Sequence, residues 1–179
     1  MLKSQFDHIL FKSAVLGPFA YTHFCLRYAD DCREHGHAFR RPRPVALTEA
    51  LLKELAEINQ KVNRSIIPHA YINDTTYDTW RIAPAQGDCN DYAVTKRHEL
   101  LARGWPSRSV LLAEVVTTWG EHHLVLVVRT DKQDLVLDNL NANIKTWSKT
   151  PYQWVRIESP TYPSLWSTIK TPAEISASL

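Results

Sequence analysis

The spacing of apolar and polar positions divides the chain into a helical part followed by a stranded part. Leu51, Leu52, Leu55, Ile58, Val62 and Ile66 recur at steps near three and four, the signature of one helix face, and Thr48 stands where an N-cap belongs. A helix is therefore predicted from Thr48 to about Ile66, ended by Pro68. A second is predicted from Asn90 to about Ala102, with Gly104 and then Trp105-Pro106 as its stop. Beyond it come three strand-like runs, Val110–Thr117, His123–Thr130 and Leu135–Asp138. The segments that join them, Thr118-Trp119-Gly120-Glu121 and Asp131-Lys132-Gln133-Asp134, are too short for helical crossovers, so the strands must pair antiparallel. Leu124-Val125-Leu126-Val127-Val128 is apolar on both faces and marks a central strand. Tyr152–Ile157 predicts a further strand.

The remaining stretches carry little periodicity. Residues 1–46 end in Arg40-Arg41-Pro42-Arg43-Pro44, which cannot be helical, and are read as an irregular N-terminal arm packed on the body. Residues 160–179 are proline-spaced and read as a peripheral tail. From His69 to Gln86 the chain is rich in Thr, Asp, Tyr and Pro, a loop that leads into Gly87-Asp88-Cys89. Helices followed by an antiparallel sheet define an α+β class, and the length fits a single domain over residues 1–179.

Composition narrows the partners. With 44% hydrophobic and 22% charged residues the chain can bury a core, and its 21 basic and 19 acidic residues are dispersed, so nucleic acid is not an expected partner. No apolar run approaches the roughly 20 residues that cross a bilayer. Met1 to Ala20 is broken by Lys12 and Pro18 and makes a poor secretory signal, which leaves either a cytoplasmic chain or a leader outside this sequence. The three cysteines leave the compartment open. Cys25 and Cys32 with Cys89 left over suit either a small disulfide loop beside a reactive thiol or three unrelated reduced thiols.

Cys89 is the candidate centre of the chemistry. At the first turn of a helix, unpaired N–H groups and the positive end of the dipole favour a thiolate over a free thiol of pKa about 8.5. Its neighbours Gly87, Asp88, Asn90 and Asp91 are polar and turn-forming, unlike those of a cysteine that serves as a small core hydrophobe. A base and an orienting acid follow in chain order, His123 at the mouth of the central strand and Asp138 at the end of the next, and Cys-His-Asp is a nucleophilic triad. Each has an ordinary structural alternative. Strand alternation lets only one of His122 and His123 face the cysteine, and Asp138-Asn139 could be a simple turn pair. A hairpin centred near Lys132-Gln133 would leave His123 and Asp138 out of line unless a bulge intervened.

Gly87-Asp88-Cys89-Asn90-Asp91-Tyr92-Ala93, Glu121-His122-His123-Leu124-Val125-Leu126 and Leu135-Val136-Leu137-Asp138-Asn139-Leu140, with the earlier Asp78-Thr79-Trp80, resemble the bacterial transglutaminase-like cysteine proteinase family, in particular its LapG-type periplasmic branch, over roughly residues 15 to 167. The resemblance implies a papain-like or transglutaminase-like fold with N-terminal helices packed on an antiparallel sheet. It implies Cys89 as nucleophile, His123 as base, Asp138 as the group that orients the imidazole, and His122 as a bystander. The Cys89 backbone N–H would serve as one oxyanion donor. Trp80 either walls the cleft or packs in the core. Phe24-Cys25 with Asp31-Cys32 resembles the family's N-terminal block and implies a disulfide and export.

LapG-type proteases hold calcium through acids flanking the cysteine. Asp88 matches one such acid and Asn90 stands where the other would be, an amide in place of a charge, so no cofactor is strictly required and any calcium site on Asp88 and Asn90 should be weakened. The expected activity is hydrolysis of a peptide bond in a cell-envelope protein through an acyl-enzyme, with a protein or peptide partner; a surface adhesin is the LapG-type example. Acyl transfer to an amine, as in transglutaminases or amidases, and a non-catalytic binding domain that keeps the fold are the alternatives. The last predicts a damaged triad, and all three residues are present.

Overall fold

Seven strands run antiparallel in one sheet, with the three longer helices on one face. The computed structural model describes residues 7–34, 44–69, 79–162 and 164–177. In chain order these form β1 (Phe11–Val15), α1 (Phe19–Arg27), α2 (Glu49–Ser65), β2 (Ile67–Pro68), β3 (Gln86–Gly87), α3 (Cys89–Ala102), β4 (Val110–Val116), β5 (His122–Arg129), β6 (Asp134–Leu137), β7 (Lys145–Thr146), β8 (Gln153–Glu158), β9 (Trp166–Ile169) and α4 (Pro172–Ser176). The sheet order is β1-β9-β8-β4-β5-β6-β7, and β2 and β3 make a separate parallel pair. The α+β architecture of helices against an antiparallel sheet is as expected.

The alternation along β5 explains its central place. Leu124, Leu126 and Val128 join Val94, Leu100, Leu55 and Val62 in the core between sheet and helices. Val125 and Val127 turn the other way, into a second cluster with Val115, Val136, Trp147, Ile157 and Ile175. Both faces are therefore covered, which is why the strand carries no polar stripe. Thr48 caps α2 as expected, its side chain accepting from Leu51 N.

Two regions are more regular than the sequence suggested. The N-terminal arm, read as irregular over 1–46, contains β1 and α1; Arg40 to Arg43 lie outside the described residues. The tail from 160 is not peripheral throughout, because β9 is inserted between β1 and β8 and its Trp166 is fully buried. Both strands are only four or five residues long, and β1 pairs with β9 from the far end of the sequence, so local periodicity could not reveal them. Of the loop read over His69–Gln86, residues 70–78 lie outside the described residues, and Gln86 belongs to β3.

Cys25 and Cys32 form a disulfide, and Cys89 is a free thiol. Arg97 of α3 is buried against this loop. It donates from Nε to Val110 O at 3.0 Å and from Nη1 to Asp31 O, and stands 3.5 Å from Glu158 Oε2, tying α3 to the disulfide loop, β4 and β8 at once.

Candidate active site

The site begins with how α3 is started. Asp88 is the N-cap: its Oδ1 accepts from Asn90 N at 2.9 Å and Asp91 N at 3.5 Å, and Asp91 Oδ2 accepts in return from Asp88 N at 3.3 Å. This reciprocal capping box places Cys89 as the first helical residue, one earlier than predicted. Asp91 is buried and also receives Arg81 N at 2.7 Å and Arg81 Nη2 at 3.1 Å. The fit needs Gly87, since a Cβ there would lie 2.4 Å from Asp91 Oδ2. The parallel pair β2-β3 pins this glycine next to the end of α2.

Cys89 is half-buried against the core that lies between sheet and helices. The Leu124 backbone N–H donates to its sulfur, which brings the thiol to the residue beside His123. Burial pushes the Cys89 thiol up to about 12, and the Leu124 donation lowers it only in part. The expected stabilisation of a lone thiolate by the helix start is thus outweighed by desolvation.

The two histidines are separated as strand alternation requires. His122 is exposed and paired through Nδ1 with Glu114 Oε1 at 2.7 Å. His123 is buried, with Nε2 2.8 Å from Asp138 Oδ1. A carboxylate only accepts, so Nε2 carries the proton and Nδ1 of the neutral ring is left as an acceptor. No bulge is needed to bring the pair together. The β5-β6 register sets Leu126 opposite Leu137, so one further step puts Asp138 across from Val125, with His123 two residues on and on the same face. Diagonal neighbours of this kind lie within reach of long side chains.

Asp138 is held from every side. Its Oδ1 also accepts from Leu140 N at 2.9 Å, and its Oδ2 accepts from the Tyr152 hydroxyl, while Asn63 Nδ2 donates to its backbone oxygen at 2.9 Å. Burial pushes the Asp138 carboxyl up, but the donations from His123, Tyr152 and Leu140 more than reverse this and hold it below its ordinary value. Tyr152 is raised, first by burial and then by the carboxylate beside it.

Asp88, by contrast, is raised by burial and by the neighbouring Asp91. Two crowded carboxylates are a setting that a cation relieves. Still, Asp88 and Asn90 alone fall well short of the roughly six to eight oxygens that calcium takes. Among the described residues no three His, Cys, Asp or Glu side chains converge on one point.

The structure thus brings the helix-start Cys89 to Leu124, the neighbour in sequence of His123, which is paired with Asp138. The profile of the family described as bacterial transglutaminase-like cysteine proteinase (BTLCP) matches residues 11–174. The chain belongs to that family. This proteinase is accordingly a transglutaminase-like cysteine peptidase, and among curated proteins no match is found. Its fold is similar to that of calcium-bound LapG of Legionella pneumophila, with a TM-score of 0.57 and 22% identity over 71% of this chain and 77% of that one. It is also similar to the same protein after EGTA treatment, with a TM-score of 0.53 and 20% identity over 90% and 88%.

Two residues that hold the candidate site residues, Tyr152 and Asp91, were not assigned that part from the sequence. Tyr152 reaches Asp138 from just ahead of β8, and no local pattern links it to β5. Asp91 was legible, being an acid three residues after an N-cap acid. Lys96 is buried two turns along α3, where a lysine would ordinarily be taken for the solvated face. Trp80, the candidate cleft wall, is buried against Tyr21 and Phe24 in the core, and Asp78 lies outside the described residues.

Proposed function

We propose that Cys89, His123 and Asp138 act as a nucleophilic triad that hydrolyses a peptide bond in a cell-envelope protein. The observation that carries this is the 2.8 Å contact of His123 Nε2 with Asp138, which leaves Nδ1 free as a base beside the strand residue that holds the Cys89 sulfur. As Cys89 Sγ attacks the scissile carbonyl carbon, its proton passes to His123 Nδ1. The thiolate therefore forms together with an imidazolium, not alone in a buried setting. Asp138 stabilises that imidazolium and fixes its orientation. The oxyanion faces the Cys89 backbone N–H. Collapse breaks the C–N bond, His123 returns the proton to the leaving amine, and a thioester remains. Water then attacks it with His123 as base, releasing the carboxylic acid and the thiol.

The Cys25–Cys32 disulfide supports an oxidising compartment, and with the family resemblance it favours the periplasm. A surface adhesin is the specific substrate that the resemblance suggests. Calcium belongs to the same reading: Asp88 and Asn90 would hold it, and it would supply positive charge against the crowded Asp88 and Asp91 carboxylates and firm the start of α3. The calcium-bound form of the Legionella relative supports this.

The test is mass-spectrometric mapping of new N-termini in a bacterial envelope protein fraction. Wild type should generate them, and Cys89→Ser and His123→Ala should not. No new termini from wild type would overturn hydrolysis, and isopeptide cross-links in their place would identify transfer to an amine.

A further inference from the structure

At the end of β4 and β5 remote from His123 lies a cavity of about 500 Å³, within the range of small-molecule sites. Its wall includes Arg108 and Ser109 just ahead of β4, Arg129 at the end of β5, His8, and Pro160 with Thr161 beyond β8. The β4-β5 register sets Val110 opposite Val128, so one further step puts Ser109 across from Arg129 and brings the two arginines in from adjoining segments. Arg129 stands six residues along β5 from His123, about 20 Å at the rise of a strand. The cavity is therefore apart from the candidate active site.

Neither guanidinium is fully used by the protein. Arg129 packs its guanidinium carbon 4.9 Å from the centroid of the Phe11 ring, and its Nε is 3.6 Å from Asp134 Oδ1, longer than a hydrogen bond. Asp134 already accepts from Ile9 N at 2.7 Å and meets His8 Nδ1 at 3.3 Å. Arg108 Nη1 is 4.0 Å from Glu34 Oε1, on a side chain that is 60% exposed. The Nε of each arginine is buried and has no hydrogen-bond partner among the described residues, a costly state for a charged donor. Asp131, also in the wall, has its Oδ1 taken by Leu47 N at 2.7 Å. Residues 35–43, which join Glu34 to Pro44, contain no Asp or Glu, so that stretch of sequence offers no counter-charge.

We propose that this cavity binds the phosphate group of a small organic phosphate between Arg108 and Arg129. Two planar guanidinium forks offer more donors than the two oxygens of one carboxylate use, whereas a phosphate presents three oxygens to them. The Ser109 and Thr161 hydroxyls add further donors to the wall. Glu34 and Asp131 in the same wall repel a polyanion, and the volume beyond a single phosphate leaves room for an organic body against Pro44 and Pro160. The site does not depend on the triad reading.

The test is isothermal calorimetry of the full-length wild type with phenyl phosphate at fixed ionic strength. Binding should saturate at one molecule per chain, and the dissociation constant should rise about tenfold or more in Arg108→Gln and in Arg129→Gln. Arg129→Lys, which keeps the charge and loses the fork, should weaken binding severalfold as well. No saturable binding, or an undiminished affinity in Arg108→Gln, overturns the proposal. Benzoate bound as tightly as phenyl phosphate overturns the choice of a phosphate head. Phenyl phosphate that blocks Cys89 alkylation by iodoacetamide binds at the candidate active site instead, and overturns the proposal too. Should the arginine variants not fold, the arginine Nε–H resonances of labelled wild type decide. Two of them should shift with phenyl phosphate along one saturation curve, and resonances that stay put overturn the proposal.

Discussion

Tyr152 donates its hydroxyl to Asp138 Oδ2 while its ring lies 5.7 Å from that of His123, at an angle of 59°. One residue thus fixes the carboxylate and walls the imidazole. In Tyr152→Phe the wall stays and the donor goes. A hydrogen bond to a charged group contributes about 1.5–3 kcal/mol, so kcat/KM should fall roughly tenfold or more. The pH dependence has a definite sign. Asp138, held below its ordinary value, contributes stability that is present above that value and lost as pH falls through the folded one. Tyr152→Phe raises the folded value, so acid unfolding should begin at higher pH. Equal acid transitions in the two proteins would refute this.

His123→Ala removes the acceptor for the Cys89 proton. The thiol, pushed up to about 12 by burial, should then react with iodoacetamide only at alkaline pH, with the rate near pH 7 down by about 10²–10⁴. Alkylation against pH in both proteins checks this, and identical profiles would remove His123 from the triad.

Gly87→Ala drives a Cβ into Asp91, 2.4 Å from Oδ2 and 2.7 Å from Cβ. The Asp91 side chain would have to leave the capping box, at a cost of about 1–3 kcal/mol. Urea denaturation gives the stability loss, and the alkylation rate of Cys89 should fall with it because the helix start is displaced.

Calcium should raise the melting temperature of the wild type, and EGTA should reverse the effect. In Asp88→Asn the cap survives, because asparagine caps as well as aspartate, but the charge is gone. The response to calcium should therefore vanish while the melt without calcium changes little. An undiminished response would place calcium elsewhere.

Reduction of the Cys25–Cys32 bond, or Cys25→Ser with Cys32→Ser, should cost about 2–3 kcal/mol for so short a loop. It also frees the segment whose Asp31 backbone oxygen accepts from Arg97. Thermal melts with and without reductant measure the difference.

Much of this was legible because the decisive residues sit in strong local patterns. Leu51 to Ile66 repeat as a helix face, and Leu124 to Val128 could belong only to a central strand. Cys89, His123 and Asp138 fall at element ends, where polar residues interrupt those patterns. What escaped was long-range. Phe11–Val15 is a strand because it finds Trp166–Ile169 across the length of the chain, and Trp166–Ile169 is held between that partner and β8. Tyr152 gains its relation to Asp138 through packing of separate elements, which no spacing encodes. The thiol's response was misjudged for another reason: a helix start can be recognised from sequence, while the extent of burial that opposes it cannot.

The pairing of β1 with β9 has a consequence for biogenesis. Strand Phe11–Val15 is synthesised long before its hydrogen-bonding partner, which appears only when residue 166 and those after it have been made. The sheet edge cannot close during synthesis, and contacts of such sequence separation make for slow folding. Until β9 is made, β1 has no neighbour in the sheet, and the seven-stranded sheet that backs α3 stays incomplete.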